Sequence, residues 1–171
     1  MDINELKDIM NHFTEPLLRI SYGYVKDLHT AEDIVQEVFI KFYHQPHQYE
    51  ERGQLKAYLA KMTVNKSKDY LRSWTYRKIQ LQNKWRTPSL SRNVDELVRK
   101  DEQSLVGNAI LELPLKQREV LIHFYFNDMT ISEIAKVLSI PESTVKTRLT
   151  RGRELLRHRL NGIEWEVLLH E

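Results

Sequence analysis

The chain has 171 residues, of which 29% are charged, and its formal net charge is +2. It contains no cysteine, which excludes disulfides, thiolate catalysis and cysteine-based zinc sites. Only 5 glycines and 5 prolines accompany 41% hydrophobic residues, a composition that favours a folded, mostly helical protein. No apolar run approaches the roughly 20 residues that span a bilayer, and the N-terminus lacks the features of a signal peptide. We therefore expect a cytoplasmic protein that does not insert into a membrane.

The small net charge hides an uneven distribution along the chain. Residues 1–55 carry 5 Lys/Arg and 10 Asp/Glu, whereas residues 56–86 carry 9 and 1. Residues 87–135 carry 5 and 8, and the remainder carries 7 and 5, with its cations gathered on Lys146–Arg159. The two basic stretches predict two contacts with a polyanion, and the acidic N-terminal part predicts a different partner surface.

The acidic N-terminal part reads as three helices. Apolar spacing predicts one helix over residues 2–13, with Ile3 among its inward residues, and a second that opens at Glu15-Pro16. Thr30 and Asp33 are a candidate capping pair for the third helix, Ala31–Tyr43. The core face of that third helix is predicted to be Ile34, Val35, Val38, Phe39 and Phe42, and its other face carries Asp33, Gln36, Glu37, Ile40 and Lys41.

A loop and a long basic helix follow. Pro46 and Gly53 punctuate the loop, and its Tyr49 either stacks on a nucleic-acid base or covers the core below. The next helix is predicted over Leu55–Arg77. It carries an outward set of polar and cationic side chains: Lys56, Lys61, Asn65, Lys66, Lys68 and Arg72. Such a helix suits single-stranded or melted nucleic acid, although a solvated lysine-rich helix is the plainer alternative.

The second half of the chain begins with a linker over residues 79–94 and a helix that starts at Asp95. A further helix is expected over Leu115–Phe126, with Val120, Leu121 and Phe124 buried. The segment Thr130–Leu160 then reads as two helices joined by a short turn at Ser139, Ile140 and Pro141. Asn161-Gly162 ends the last helix, and a short amphipathic tail of unknown role remains.

The last helix has two distinct faces. At about 100° per residue, Val145, Leu149, Gly152 and Leu156 share a narrow packing arc. The opposite side carries hydroxyls and cations: Ser143, Lys146, Thr147, Thr150 and Arg151. Cations contact phosphates, and Lys, Arg, Ser and Thr also donate to base edges in the major groove. The pattern predicts a DNA-binding helix-turn-helix, with an amphipathic surface helix as the alternative.

Taken together, three segments resemble the extracytoplasmic-function (ECF) type of bacterial RNA polymerase sigma factor, within the sigma-70 family. Ala31–Tyr43 is similar to the polymerase-binding helix of the family's second region. Leu55–Arg72 is similar to the helix that reads the −10 promoter element, and Leu113–Arg157 to the fourth region, which reads the −35 element. The helix-turn-helix alone also fits response regulators, so the order of all three segments carries the resemblance.

The resemblance implies an all-α protein of two small helical domains joined by a linker. Its domains would be residues 1–78 (region 2), the linker 79–94, residues 95–161 (region 4) and the tail 162–171. The partners implied are core RNA polymerase, through its β′ coiled coil and β flap, promoter DNA and an anti-sigma factor. The protein would be a specificity subunit and not an enzyme, without a cofactor.

The resemblance also assigns roles to individual residues. The polymerase-binding residues would be Asp33, Gln36, Glu37, Ile40 and Lys41. The residues that contact the −10 element would be Tyr49, Arg52, Lys61, Asn65, Lys66, Lys68 and Arg72. Those that contact the −35 element would be Ser143, Thr144, Lys146, Thr147, Arg148, Thr150 and Arg151.

Two departures from the family pattern stand out. The sequence KMTVN that ends at Asn65 replaces the usual arginine-isoleucine-alanine pattern, which puts the −10 preference in doubt. Gly152 stands where alanine is common, and it would permit close approach to the helix Thr130–Val137. A mid-helix glycine costs about 1 kcal/mol relative to alanine.

Two other functions compete with the sigma-factor interpretation. A helix-turn-helix regulator would bind duplex DNA without polymerase, and neither the Ala31–Tyr43 helix nor the two basic stretches favours it. An enzyme with a metal site would need ligands such as His44, His47 and Glu51. These residues surround a proline-containing loop and lack the spacing of a metal site, so we expect no metal.

Overall fold

The computed structural model describes residues 1–45, 54–83, 101–161 and 163–165. Throughout these ranges the regular elements are helical and no strand occurs. The all-α prediction is therefore confirmed. The chain divides into two compact units, and each is considered by itself below.

The N-terminal unit contains four described helices. They are α1 (Ile3–Val25), α2 (Leu28–His44), α3 (Leu55–Arg72) and α4 (Trp74–Asn83). The first three pack against one another in every pairwise combination, and α4 contacts α3. The core of the unit therefore lies between α1, α2 and α3.

Helix α1 is continuous, so the prediction of two helices before residue 26 is wrong. Asp2 and Glu5 form a capping box at its start, in which the Asp2 backbone N–H donates to the Glu5 carboxylate over 2.8 Å. Pro16 lies inside the helix, where its missing N–H and its ring normally cost about 3 kcal/mol. The helix continues because Leu17 and Ile20, directly after the proline, are buried in the core.

Two further predictions for the N-terminal unit need correction. Ile3 was predicted to point inward, but it lies in the first turn of α1 and is 59% exposed. Asp27, and not Thr30, caps α2, because its carboxylate accepts the Thr30 backbone N–H over 2.9 Å. The predicted core face of α2 is confirmed, since all five of its residues are buried: Ile34, Val35, Val38, Phe39 and Phe42.

The predicted single helix Leu55–Arg77 is interrupted at Ser73. The backbone of Ser73 is extended, with φ −68° and ψ 153°, and its hydroxyl donates to the Tyr70 carbonyl over 2.6 Å. A serine that bonds to the preceding turn in this way offers the backbone an alternative to helix continuation. Helix α4 then runs to Asn83, so the first residues of the predicted linker are helical, and residues 84–94 lie outside the described ranges.

The described part of the C-terminal unit is also helical. Its helices are α5 (Asp101–Leu111), α6 (Leu115–Leu121), α7 (Ile131–Leu138) and α8 (Glu142–Arg159). A π-helical turn, Ile122–Phe126, follows α6, so the predicted α-helix Leu115–Phe126 changes its pitch halfway. Val120 and Leu121 are buried as predicted, whereas Phe124 is only half-buried. The predicted helix start at Asp95 lies outside the described residues.

The turn between α7 and α8 follows the sequence prediction closely. Thr130 and Glu133 form the predicted capping box, with the Glu133 N–H donating to the Thr130 hydroxyl over 3.2 Å. Ser139 ends α7 in the left-handed region, at φ 56°. The extended residue Pro141 then precedes α8, so the two helices are joined by a short, sharply turned segment.

Gly152 makes a close approach, but not to the helix that the sequence suggested. A Cβ atom added at Gly152 would lie 2.9 Å from Cδ1 and 3.2 Å from Cγ of Leu121, at the end of α6. Leu121 is fully buried. The glycine therefore lets α8 pack directly on α6, and the predicted partner helix Thr130–Val137 is wrong.

Candidate polymerase and nucleic-acid interfaces

Helix α2 turns a mixed acidic and apolar face to solvent. The five residues predicted to contact polymerase are all exposed: Asp33, Gln36, Glu37, Ile40 and Lys41. Ile40 is 52% exposed, which is unusual for a large aliphatic side chain. The opposite side of the helix is the buried core face, so helical periodicity alone brings these residues together. An exposed isoleucine beside carboxylates and an amide suits a partner helix that carries basic groups around an apolar contact.

Helix α3 turns polar and cationic side chains away from the core. Lys61, Asn65 and Arg72 are exposed, while Lys66 and Lys68 are half-buried. The inward side of the helix is formed by small and apolar residues, namely Leu59, Ala60, Thr63, Val64 and Ser67. The cations of α3 can therefore contact a polyanion without disturbing the packing. Tyr49 and Arg52, the remaining residues predicted for this contact, lie outside the described residues.

An ion pair joins the outward faces of α2 and α3. The Lys66 ammonium donates to the Glu37 carboxylate, and the two side chains remain 40% and 58% exposed. The sequence gave no signal for this contact, because the residues are 29 positions apart and lie on different helices. The pair brings a predicted polymerase-binding residue within reach of a predicted DNA-binding residue.

Helices α1 and α3 approach each other closely through two buried serines. Ser67 and Ser21 are both fully buried, and the Ser67 hydroxyl donates to the Ser21 hydroxyl over 3.4 Å. On α1, burial and the nearby negative charge of Asp27 raise the pKa of Tyr22 above its ordinary value of 10.0. Neither feature belongs to the candidate interfaces.

Helix α8 presents the predicted hydroxyl and cation face. Ser143, Lys146, Thr147, Thr150 and Arg151 are exposed, and Thr144 is half-buried. Val145, Leu149, Gly152 and Leu156 are buried on the other side, as predicted. Arg151 also donates to the Glu154 carboxylate over 3.2 Å, three residues further along the helix. The exposed face therefore offers two cations and three hydroxyls to a major groove.

Arg148 is placed differently from the other residues predicted to contact the −35 element. Its guanidinium donates to the Glu119 carboxylate of α6 over 2.8 Å, and the two side chains are only 19% and 6% exposed. The structure thus directs Arg148 to the packed side of α8. The family resemblance had assigned Arg148 to the −35 contact, and the distant Glu119 gave no signal in the sequence.

A second arginine of α8 is held in an aromatic cluster that the sequence analysis missed. The Arg153 Nε–H donates to the Tyr125 hydroxyl over 2.7 Å, and its guanidinium lies 5.5 Å from the centre of the Phe124 ring. Trp165 packs edge-on against Tyr125 at 5.2 Å and is 4% exposed. The residues just after α8 therefore contribute to the core, although the tail had no predicted role.

The described residues contain neither a metal-binding cluster nor a membrane span. Groups of three or more histidine or carboxylate side chains able to hold a metal do not occur within them. His44 ends α2, while His47 and Glu51 lie outside the described ranges. None of the helices in those ranges is both long enough and apolar enough to cross a membrane.

Comparison with known families matches both units of the chain. Residues 9–75 match the family described as sigma-70 region 2, and residues 103–156 match sigma-70, region 4. The two matches follow each other in the order that the three sequence segments predicted. They include α2, α3, α7 and nearly all of α8, the helices that carry the candidate interfaces.

Similar proteins agree with these family matches. The ECF RNA polymerase sigma factor SigW of Bacillus subtilis is 28% identical, over 95% of this chain and 92% of that protein. The RNA polymerase sigma factor SigV of the same organism is 29% identical, over 83% and 82%. The chain belongs to the sigma-70 family of RNA polymerase sigma factors and is of the ECF type. This is not an enzyme family.

Solved structures share the fold of the chain. CnrH, solved in complex with the cytosolic domain of CnrY, gives a TM-score of 0.69 at 18% identity, over 95% of this chain and 92% of that one. The sigma factor RpoE of Bartonella quintana, solved with the anti-sigma factor NepR, gives 0.68 at 22% identity, over 92% and 99%.

Proposed function

We propose that this protein binds core RNA polymerase and directs it to a specific class of promoters. One observation carries the proposal: the chain contains a region 2 match followed by a region 4 match, each with an exposed face of the appropriate chemistry. The protein supplies promoter recognition, and the chemistry of RNA synthesis belongs to the core enzyme. Both proposed partners place the protein in the cytoplasm.

The polymerase contact is assigned to the exposed face of α2. Asp33, Gln36 and Glu37 would pair with basic groups on the β′ coiled coil, while Ile40 would supply an apolar centre and Lys41 a rim charge. A small apolar contact surrounded by charges fits a subunit that must later be released. The β flap would bind the C-terminal unit.

The −10 contact is assigned to α3 and the loop before it. Lys61, Lys66, Lys68 and Arg72 would follow the phosphates of the melted strand, and Asn65 would contact a base or its backbone. Tyr49 and Arg52 complete the proposal from the loop, with Tyr49 stacking on an unpaired base. Extruding a base costs a few kcal/mol, which stacking and polar contacts in the loop offset.

The −35 contact is assigned to the exposed face of α8. Ser143, Thr144, Lys146, Thr147, Thr150 and Arg151 would lie in or beside the major groove, where the start of the second helix of a helix-turn-helix meets base edges. Arg148 is given a different role. Because it is bonded to Glu119, it would fix the position of α8 and not read a base.

The domain limits remain part of the proposal. Residues 1–78 would form the region 2 domain, 95–161 the region 4 domain and 79–94 the linker, with a tail at 162–171. An anti-sigma factor is proposed as the regulator, since RpoE was solved with the anti-sigma factor NepR bound and CnrH with the cytosolic domain of CnrY. It would hold the protein inactive by covering the surfaces that polymerase and DNA require.

Run-off transcription tests the proposal directly. Purified bacterial core polymerase would be incubated with fragmented bacterial genomic DNA, with and without this protein. Discrete new transcripts are expected only when the protein is present, and their start sites identify the recognised promoters. If the protein instead shifts specific duplexes by itself and no transcripts appear, it is a regulator that acts without polymerase.

A pair of charge reversals then locates the polymerase contact. Replacing Asp33 and Glu37 by lysine should abolish the transcripts, because the face would become basic and would repel the basic surface that it is proposed to bind. Asp8→Lys is the control for a charge reversal elsewhere on the unit, since Asp8 is also an exposed acid, on α1. The contact is assigned wrongly if the control variant loses as much transcription as the double reversal.

A further inference from the structure

Three threonines inside the described helices bond back to the preceding turn. Thr14 donates its hydroxyl to the Met10 carbonyl over 2.6 Å, and Thr63 donates to Leu59 over 2.9 Å. Thr147, on the exposed face of α8, donates to the Ser143 carbonyl over 3.0 Å. A hydroxyl has one proton to give. The hydroxyl of Thr147 is therefore committed within the helix and cannot also donate to an external partner.

The position of Thr147 makes this commitment relevant to recognition. At about 100° per residue, the five exposed residues of the face span an arc of about 140°, with Thr147 and Thr150 near its middle. Thr147 is exposed, so its methyl group remains accessible. The bond to Ser143 also restricts rotation about χ1, which fixes the methyl group relative to the helix.

Thr150 differs from Thr147 in this respect. It is exposed on the same face, one turn further along, but its hydroxyl makes no hydrogen bond to another described residue. It can both donate to and accept from an external partner. The two threonines thus offer different chemistry: an oriented methyl group at residue 147 and a freely rotating hydroxyl at residue 150.

We propose that Thr147 reads a thymine of the −35 element through its methyl group, whereas Thr150 acts through its hydroxyl. The inference rests on the proposed function, because it needs α8 in the major groove. There the thymine C5-methyl is the apolar feature that distinguishes an A·T pair, and a threonine methyl is a suitable contact for it. Cytosine, guanine and adenine offer no such methyl group.

Deoxyuridine provides the test, since it differs from thymidine only by lacking that methyl group. Promoter duplexes obtained from the transcription experiment would carry deoxyuridine at one −35 thymine at a time, on either strand. The affinity of the complete holoenzyme for each duplex would be measured. Loss of one buried methyl group is worth about 0.8 kcal/mol, so one position should weaken binding about fourfold.

Substitutions at the two threonines assign that loss to a residue. Thr147→Ser keeps the hydroxyl and removes the methyl group, so it should bind thymine and deoxyuridine equally at the sensitive position. Thr147→Val keeps a methyl group there and should retain the preference for thymine. Thr150→Ser is the matched control, and it should leave the fourfold preference unchanged.

The outcomes separate this inference from the proposed function. If the holoenzyme binds the promoter but no thymine shows a preference over deoxyuridine, the methyl contact is wrong while the function stands. The same conclusion follows if Thr147→Ser retains the preference or if Thr150→Ser removes it. If the protein directs no transcription with core polymerase, the proposed function itself fails before the duplexes are compared.

Discussion

Replacing Gly152 by alanine sets two effects of known size against each other. Alanine in the middle of a helix is favoured over glycine by about 1 kcal/mol. The added methyl group would, however, lie 2.9 Å from Leu121 Cδ1, whereas carbon atoms in contact prefer about 3.5–4.0 Å. Leu121 is fully buried and has no route to solvent, so its side chain or the helices must shift.

The cost of overpacking determines whether Gly152→Ala stabilises or destabilises the C-terminal unit. An extra methyl group forced into a well-packed core costs about 1–3 kcal/mol, which exceeds the gain in helix propensity over most of that range. We expect Gly152→Ala to destabilise the C-terminal unit by about 1 kcal/mol. In a Leu121→Ala background, where the three nearest atoms are gone, the same change should stabilise it by about 1 kcal/mol. The coupling between the two sites would then be about 2 kcal/mol.

Urea unfolding followed by tryptophan fluorescence measures this coupling. Trp165 is buried in the C-terminal unit and reports on it once Trp74 and Trp85 are replaced by phenylalanine. Leu121→Ala alone should cost about 2–5 kcal/mol, so Leu121→Val is the substitute background if the unit fails to fold. The reasoning is refuted if Gly152→Ala stabilises the wild-type background by the full propensity gain, because Leu121 would then offer no resistance.

Three further predictions concern charged and titrating groups. Glu119→Gln should destabilise the C-terminal unit by about 1–3 kcal/mol in urea unfolding, since the largely buried Arg148 would then lack its carboxylate partner. Replacing both Glu119 and Arg148 by methionine should restore most of the lost stability. Lys66→Met should lower the free energy of unfolding by less than about 1 kcal/mol, and by less still in high salt, because its ion pair with Glu37 is exposed. A larger loss of stability would show that the Lys66 side chain contributes through packing. The raised pKa of Tyr22 means that its contribution to stability is complete below pH 10 and is lost as the pH rises through its folded-state pKa. Ultraviolet titration of the wild type and of Tyr22→Phe should show one late-titrating tyrosine fewer in the variant, and unfolding above pH 10 should show the corresponding loss of stability only in the wild type.

Local patterns in the sequence predicted the faces of the helices well. The apolar spacing of α2 identified five of its six buried residues, and the spacing of α8 identified all four of its own. The Thr130–Glu133 capping box was also recognisable, because a cap depends on residues three positions apart. These features succeed because each is determined within one or two helical turns.

Breaks between helices were harder to predict. Pro16 suggested a helix end, yet α1 passes through it because burial of the neighbouring residues outweighs the local cost. The sequence around Ser73 did not indicate a helix end, yet α3 ends there. At both positions the outcome depends on tertiary packing, which propensity does not contain. The exposed polar faces needed no such information, since they follow from the period of the helix.

The sequence did not predict which distant residues contact each other, and three of these contacts involve α8, the helix proposed to bind DNA. Helix α8 is held from behind by Gly152 against Leu121, by Arg148 against Glu119 and by Arg153 in the Tyr125 cluster. They fix α8 in rotation and along its axis, so the face proposed to contact DNA is held in one orientation. Rear substitutions should therefore lower stability and DNA binding together, whereas front substitutions such as Thr147→Ser should alter DNA binding alone. A front variant that unfolds as early as a rear one would show that this separation of the two faces is wrong.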